Sequence, residues 1–205
     1  MFSKERLIFQ KEKTITDELC DDIIMIFDKE LLNNNCIICN NGTFLDIENN
    51  PLYIRITNIL GIEILKLYNK YLSNVDSSFT KIPNLNYNFK IKKMCYSDNN
   101  ILYNNINTKL IQHTNKVKLL HYIFFLNDYD GEYIFFTPFD SQSESFSTVI
   151  TQSEIGVMNE KRPNNYAIKP KKGSVLIFPV SIHFSYTENI KLFESKYIIE
   201  GYLYL

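Results

Sequence analysis

A run of ten residues, 118–127, reads KLLHYIFFLN and combines apolar, aromatic and β-branched side chains. Residues of these types favour β-strands. Six other runs of similar composition are separated by polar or by Gly- and Pro-containing turns; they are FKIKKMCY (89–96), TKLIQHT (108–114), EYIFFTPF (132–139), NYAIK (165–169), GSVLIFPV (173–180) and KYIIEGYLYL (196–205). This succession of short strands predicts an all-β sandwich or barrel from about residue 86 onward.

The first third of the chain has the periodicity of helices. Thr16 is a candidate N-cap, and the two acidic residues that follow it suit the positive end of a helix dipole. A second helix should begin near Pro51, a residue favoured in a first helical turn, and end before Ser73. Apolar residues repeat at helical spacing in both segments: Leu19, Ile23, Ile26, Phe27 and Leu31 in the first, and Ile56, Leu60, Ile64, Leu67 and Tyr71 in the second. We therefore expect two amphipathic helices, the first ending at the asparagine cluster at 33–35.

The length of the chain favours one domain. Its 205 residues are enough for a single sizeable core but few for two. We predict one α+β, mainly β domain over residues 1–205, with a helical support region at 1–85 and a β core at 86–205. The segment 140–165 is long for a connection within a compact domain, so we expect it to be either a functional lid or simply a mobile loop.

Composition excludes several functional classes. The formal net charge is −1, which argues against nucleic acid as the main partner. No apolar run approaches 18 residues and the N-terminus lacks a signal-peptide pattern, so we expect a soluble, cytoplasmic protein. Abundant Asn, Ile and Lys with a single alanine are typical of an AT-rich genome, cellular or viral. Cys36 and Cys39 form a lone CxxC without the second pair that a zinc ribbon needs, which favours packing over a metal or redox role.

The three histidines of the chain occupy distinctive positions. His113 ends one candidate strand, His121 lies inside the next, and His183 follows the run GSVLIFPVSI. His113 and His183 are 70 residues apart, and Lys196 follows His183 by 13 residues. An isolated histidine in a β protein is usually a packed or surface residue. Two histidines near strand ends, followed by a lysine, suit an iron site.

The order of motifs in the C-terminal half resembles the 2-oxoglutarate- and Fe(II)-dependent oxygenases, in particular the prolyl 4-hydroxylase-like branch. That branch has an HxD motif, a strand ending in YLN, a GGE turn, a PkkG turn before a strand ending in FP, a distal His and a basic residue. The corresponding stretches here are HTN (113–115), KLLHYIFFLN (118–127), DGE (130–132), IKPKKGSVLIFP (168–179), His183 and Lys196. The resemblance implies a double-stranded β-helix, or jelly roll, with N-terminal helices packed on one sheet.

The resemblance also implies a site and an activity. In the family, two imidazoles and a carboxylate hold Fe(II) and leave positions open for 2-oxoglutarate and dioxygen. The enzymes convert 2-oxoglutarate to succinate while a side chain, of prolyl or lysyl type in a protein or peptide, is hydroxylated. By position, the corresponding residues are His113, Asn115 and His183 for the metal, and Lys196, Tyr96 and His121 for the cosubstrate.

The departures from the family pattern leave three interpretations open. Asn115 stands where a carboxylate is expected, Phe125 replaces a frequent Tyr, and His121 replaces a frequent Thr. In the first interpretation the chain is an active dioxygenase that tolerates Asn115, and Asp98, Asp128 or another carboxylate is a candidate to reach the metal. The alternative is a catalytically impaired jelly-roll protein with a binding or scaffolding role. The third interpretation is an unrelated β-rich protein in which the motif order is coincidental.

Overall fold

The computed structural model describes residues 8–39, 42–47, 51–75, 85–95, 117–135, 166–180, 186–190 and 195–205. The helices and strands within these ranges are, in chain order, β1 (Phe9–Lys11), α1 (Asp17–Leu32), β2 (Ile37–Cys39), β3 (Gly42–Asp46), α2 (Ile54–Val75), β4 (Asn86–Tyr87), β5 (Lys90–Cys95), β6 (Lys118–Phe125), β7 (Gly131–Phe135), β8 (Tyr166–Ile168), β9 (Val175–Pro179), β10 (Tyr186–Ile190) and β11 (Ser195–Tyr204). The mainly β class with two helices, expected from the sequence, is confirmed.

The strands form two antiparallel sheets. In the described part of the chain, the main sheet has the order β1-β9-β6-β11-β5-β3-β2, and β4 pairs with β11 beside this path. The small sheet has the order β10-β7-β8. Strand β6 is central, because its residue Tyr122 lies opposite Ile177 of β9 on one side and Gly201 of β11 on the other.

Side-chain alternation along β6 gives the main sheet two different faces. Residues 120, 122 and 124 join a core cluster that includes Phe27 of α1 and Ile64 of α2, and we call this side the helix face. Ile123 and Phe125 join a second cluster that includes Ile168 of β8, and we call that side the inner face. Because successive side chains of a strand point to opposite sides, the register of β6 decides which residues share the inner face.

Both predicted helices are present close to their predicted bounds. Helix α1 begins after Thr16, whose hydroxyl oxygen accepts a hydrogen bond from the backbone N–H of Leu19 at 3.2 Å, and ends at Asn33. Helix α2 follows a single 3-10 turn at Pro51–Tyr53. Neither helix is both long enough and apolar enough to cross a membrane.

The structure adds strands that the sequence pattern did not indicate. Strands β1, β2 and β3 lie in the N-terminal third, and β10 lies after the run that became β9. They have three to five residues each, so their conformation depends on pairing with partners far away in sequence. The predicted strand at 108–114 and the long connection at 140–165 lie outside the described residues.

Gly201 is required for the close approach of β11 to its neighbours. A Cβ atom at this position would overlap the backbone carbonyl oxygen of Asn88 and the hydroxyl group of Tyr122, which donates a hydrogen bond to that same oxygen. We expect Gly201→Ala to lower the free energy of unfolding by roughly 1–3 kcal/mol, because a backbone atom cannot yield to the added methyl group. Urea denaturation of the variant measures this loss. The exposed Asn86→Ala change in β4 is the control, and an equal effect of both changes would contradict the packing argument.

Candidate functional site

Lys196 is a buried charged residue on the inner face of the main sheet. It is the second residue of β11, its Cα pairs with that of Met94 on β5, and it is only 1% exposed. Its ammonium nitrogen lies 5.3 Å from the centre of the Tyr129 ring, within range of a cation–π interaction. Lysine is rarely buried to this degree unless its charge is compensated. The position therefore provides a point charge, inside the fold, that suits a carboxylate group.

His121 is buried on the same face but at the other end of the sheet. Its ring stacks on Tyr202 with centroids 4.6 Å apart and an interplanar angle of 18°, and meets the Phe178 ring edge-on at 4.9 Å. Burial lowers the pKa of His121 to about 4, against the opposing effect of the Glu200 carboxylate. Its Nε2 atom has no hydrogen-bond partner among the described residues. The imidazole is therefore neutral at pH 7, and its Nε2 is a polar atom that no described residue binds.

The register of β6 and β11 separates these two side chains. Ile198 pairs with Phe125 and Tyr202 pairs with His121, so Lys196 precedes the residue opposite His121 by six positions. Six residues of antiparallel strand span about 20 Å. Between them, Lys92 on β5 and Glu200 on β11 form an ion pair with 3.7 Å between nitrogen and oxygen. Lys196 and His121 thus mark opposite ends of the inner face.

The ends of β6 and β9 meet at the His121 end of the sheet. The backbone N–H of Val180 donates to the carbonyl of Leu119, and that of Leu205 donates to the carbonyl of Val117, both at 3.0 Å. In the sequence, Asn115 precedes Val117 by two residues and His183 follows Val180 by three. Four predicted site residues, Tyr96, His113, Asn115 and His183, lie outside the described residues. The described residues contain no group of three His, Cys, Asp or Glu side chains that could hold a metal ion.

The turn before β9 is fixed to the Lys196 end of the sheet. The N–H of Gly173 donates to the carbonyl of Phe125 at 2.9 Å, and its carbonyl accepts from the N–H of Thr14 at 2.7 Å. Gly173 has a φ of 72°, and a Cβ there would crowd the carbonyl oxygen of Ile15. Asp128 accepts a hydrogen bond from the N–H of Lys172 at 2.8 Å. This contact holds Asp128 at the Lys196 end of the sheet.

The described cysteines have the properties of packed thiols. Burial raises the pKa of Cys20 to about 11, and burial together with Glu30 and Asp28 raises the pKa of Cys36. Both thiols therefore stay protonated at neutral pH, whereas metal binding and redox exchange need the thiolate. Of these two thiols only Cys36 belongs to the CxxC pair, and the packing role of that pair stays a prediction.

Comparison with known proteins identifies shared architecture. No family model and no curated protein sequence matches the chain. Among solved structures, a viral collagen prolyl hydroxylase from Paramecium Bursaria Chlorella virus-1 superposes with a TM-score of 0.56 at 12% identity, covering 97% of this chain and 90% of that one. A prolyl hydroxylase from Trichoplax adhaerens, in complex with a peptide fragment of the hypoxia inducible factor oxygen degradation domain, gives 0.61 at 9% identity and covers 97% and 84%. The epimerase SnoN, in complex with Fe3+, alpha ketoglutarate and nogalamycin RO, gives 0.58 at 8% identity and covers 98% and 80%.

These similarities establish the fold. The chain has the architecture that these prolyl hydroxylases and the alpha ketoglutarate-dependent epimerase SnoN share, along nearly its whole length. The family resemblance singled out Lys196 and His121 as cosubstrate contacts, which stay predictions, and the structure places both on the inner face; sequence reasoning missed Tyr129 and the Lys92–Glu200 ion pair. No sequence signal marks those contacts, because they join residues that are distant along the chain.

Burial of a neutral His121 makes stability depend on pH. The pKa is about 4 in the folded chain and about 6.5 in an unfolded one, so the unfolded state binds more protons between these values. Stability is then fully present above pH 6.5 and decreases as the pH falls toward 4. From pH 7 to pH 5 this histidine alone should cost about 2 kcal/mol. We expect His121→Leu to remove that part of the slope, measured by urea denaturation at both pH values; an unchanged slope would contradict a buried neutral imidazole.

Proposed function

We propose that the chain is a 2-oxoglutarate- and Fe(II)-dependent dioxygenase that hydroxylates a prolyl or lysyl side chain in a protein or peptide. The observation that carries the proposal is Lys196, a lysine buried on the inner face of a fold shared with prolyl hydroxylases. Such a lysine fits the far carboxylate of 2-oxoglutarate, which needs a cation inside the fold. Two of the solved relatives are described with this cosubstrate bound.

We assign the metal to His113, Asn115 and His183. The described residues nearest to these ligands support the assignment. Val117 directly precedes β6 and Val180 directly follows β9, and these two strands are neighbours at one end of the sheet. In the sequence, Asn115 is two residues before Val117 and His183 is three residues after Val180. Two imidazoles suit Fe(II), whereas the amide oxygen of Asn115 supplies no negative charge. The donor set therefore fits iron in number and kind, with one charge fewer than the family pattern.

In this proposal each site residue would have a separate role in binding the cosubstrate or the substrate. Bound iron would supply the dioxygen chemistry, in which 2-oxoglutarate and dioxygen yield succinate and carbon dioxide while a C–H bond becomes C–OH. Lys196 would hold the far carboxylate at one end of the inner face, and the hydroxyl of Tyr96 is a second candidate donor. His121 lies at the other end, about 20 Å along the strands and farther than this five-carbon cosubstrate extends from Lys196, so its Nε2 would contact the substrate.

A peptide is the substrate class that we favour. One solved relative is a prolyl hydroxylase with a peptide fragment bound. The formal net charge of −1 gives no long-range attraction toward nucleic acid. Within this class, the choice between prolyl and lysyl side chains rests on the family resemblance. The viral relative and the AT-rich composition are both compatible with a viral source.

The proposal predicts cosubstrate binding that depends on Lys196. Protein loaded with Fe(II) and 2-oxoglutarate under anaerobic conditions should show the weak visible charge-transfer band of the chelate, and admitted oxygen should yield succinate. We expect Lys196→Met to raise the dissociation constant for 2-oxoglutarate at least about tenfold, as for a lost charge-assisted hydrogen bond. Lys66→Met is the control, because Lys66 lies on the exposed side of α2, where its ammonium binds Glu63 at 2.6 Å. Absence of the band at millimolar 2-oxoglutarate would overturn the proposed activity.

The alternative function is a binding or scaffolding protein that has lost turnover. The residue that favours it is Asn115, because a neutral ligand weakens the attraction between the site and a divalent cation. In this case the chain would keep the fold and a partner-binding surface without producing succinate.

Substitution at Asn115 separates the two functions. We expect Asn115→Asp to strengthen Fe(II) binding by about tenfold or more, because a carboxylate adds the missing negative charge. Calorimetric titration with Mn(II) as a redox-inert substitute measures this change, and His183→Ala is the loss-of-binding control. An active wild-type chain supports the dioxygenase, whereas metal binding and succinate formation that appear only in Asn115→Asp support the binding protein. If neither substitution alters metal binding, the ligand assignment is wrong.

A further inference from the structure

We propose that Asn127 is a positioning residue for Lys196, whose side chain it directs onto the inner face by holding the backbone on both sides. The side-chain oxygen of Asn127 accepts a hydrogen bond from the N–H of Tyr197 at 2.8 Å. Its side-chain nitrogen donates to the carbonyl of Ser195 at 2.9 Å. One amide group therefore binds the two residues that flank Lys196. The consequence for ligand binding rests on the proposed role of Lys196 as the carboxylate anchor.

Asn127 acts where the backbone pairing of the central strands ends. The last paired residues in this direction are Phe125 of β6 and Ile198 of β11, and one more backbone bond joins the N–H of Leu126 to the carbonyl of Tyr197 at 3.0 Å. Beyond that bond, the side chain of Asn127 supplies both a donor and an acceptor, as a backbone peptide of a continuing strand would. The strand segment at Lys196 is thus fixed although β6 has already ended.

The two residues after Asn127 complete the arrangement. The carboxylate of Asp128 accepts from the N–H of Lys172 and attaches this loop to the turn before β9. The ring of Tyr129 lies 5.3 Å from the Lys196 ammonium nitrogen. The side-chain nitrogen of Asn127 is also 3.1 Å from the carbonyl of Asp128, which stiffens the loop itself. The short segment 127–129 therefore both holds the backbone on either side of Lys196 and contacts its ammonium group.

Tyr197 provides the opposing constraint on the helix face. Its hydroxyl group donates to the carboxylate of Asp28 on α1 at 2.9 Å, and the Lys93 ammonium lies 4.7 Å from its ring centre. Because neighbouring side chains of a strand point to opposite faces, a Tyr197 held on the helix face leaves Lys196 on the inner face. Asn127 binds the backbone N–H of Tyr197, so the side chain and the backbone of Tyr197 are both held in the orientation that directs Lys196 to the inner face.

Asparagine is the residue type that this role requires. Aspartate keeps the acceptor for Tyr197 but loses the donor for Ser195, and it places a negative charge beside the proposed carboxylate site. Alanine loses both bonds. The chain also offers a matched control: the side-chain oxygen of Asn88 accepts from the N–H of Tyr202 at 2.8 Å, an equivalent bond to the same strand at a distance from Lys196.

The first experiment needs no ligand. Lys196 is labelled in the intact chain with an amine-acetylating reagent, and its modification rate is followed by mass spectrometry. We expect Asn127→Ala to accelerate labelling of Lys196 about tenfold, in line with the loss of two hydrogen bonds, and Asn88→Ala to leave that rate unchanged. Thermal unfolding of both variants shows whether their stabilities match, and Asn127→Asp serves if the alanine variant fails to fold. Equal labelling rates in all variants would overturn the inference.

The second experiment connects position to ligand binding. In the Mn(II)-loaded chain we expect Asn127→Ala to raise the dissociation constant for 2-oxoglutarate about tenfold, and Asn127→Asp to raise it further, with Asn88→Ala unchanged. In a Lys196→Met background the Asn127 change should have no additional effect, because the two residues act as one unit. An additive effect would overturn the positioning role. If Asn127→Ala accelerates the labelling of Lys196 but the wild-type chain binds no 2-oxoglutarate, the proposed function is refuted and the positioning role of Asn127 stands.

Discussion

The burial of strand β6 on both of its faces is the constraint on which the remaining structure depends. Leu120, Tyr122 and Phe124 enter an apolar cluster against the helices, whereas Ile123 and Phe125 enter a second one that includes Ile168 of the small sheet. A slip of one residue would exchange these sets and place Tyr122 and Phe124 on the inner face. Since β6 pairs with both β9 and β11, its register also sets theirs, and with it the positions of every inner-face side chain.

The polar groups of the inner face are arranged by that register. Along the sheet, the order of these groups is Lys196, the Lys92–Glu200 ion pair and His121. Strand register, and not local sequence, sets the distances between them. A charged group so deeply buried is costly unless it has partners. Tyr129 provides the aromatic contact to its ammonium. The polar part of the site is thus as dependent on the sheet as the apolar core is.

Much of the architecture was predictable from local patterns. The cap at Thr16 and the apolar spacing of α1 and α2 are signals that act within a few turns, and the helices formed as these signals indicate. The runs that became β6, β9 and β11 were recognised from their composition. Strands β1, β2 and β3 were not, because segments of three to five residues become strands only through partners elsewhere, such as Ile177 for Phe9 and Lys92 for Phe44. The jelly-roll description and the metal ligands His113, Asn115 and His183 stay predictions.

By itself, the sequence determined the class of the fold, the two helices, the central strands and the choice of Lys196 as a candidate anchor. The fold class, the helices and the strands follow from residue type and periodicity, which act over short distances along the chain, whereas the choice of Lys196 came from the family resemblance. Only the tertiary structure decided that Lys196 and His121 lie about 20 Å apart along the inner face. It alone brought Asn127 to the backbone of Ser195 and Tyr197, residues 68 and 70 positions away. Contacts of this kind arise from strand register, which depends on the packing of the entire sheet. Neither the sequence around Asn127 nor the sequence around Lys196 therefore indicates them.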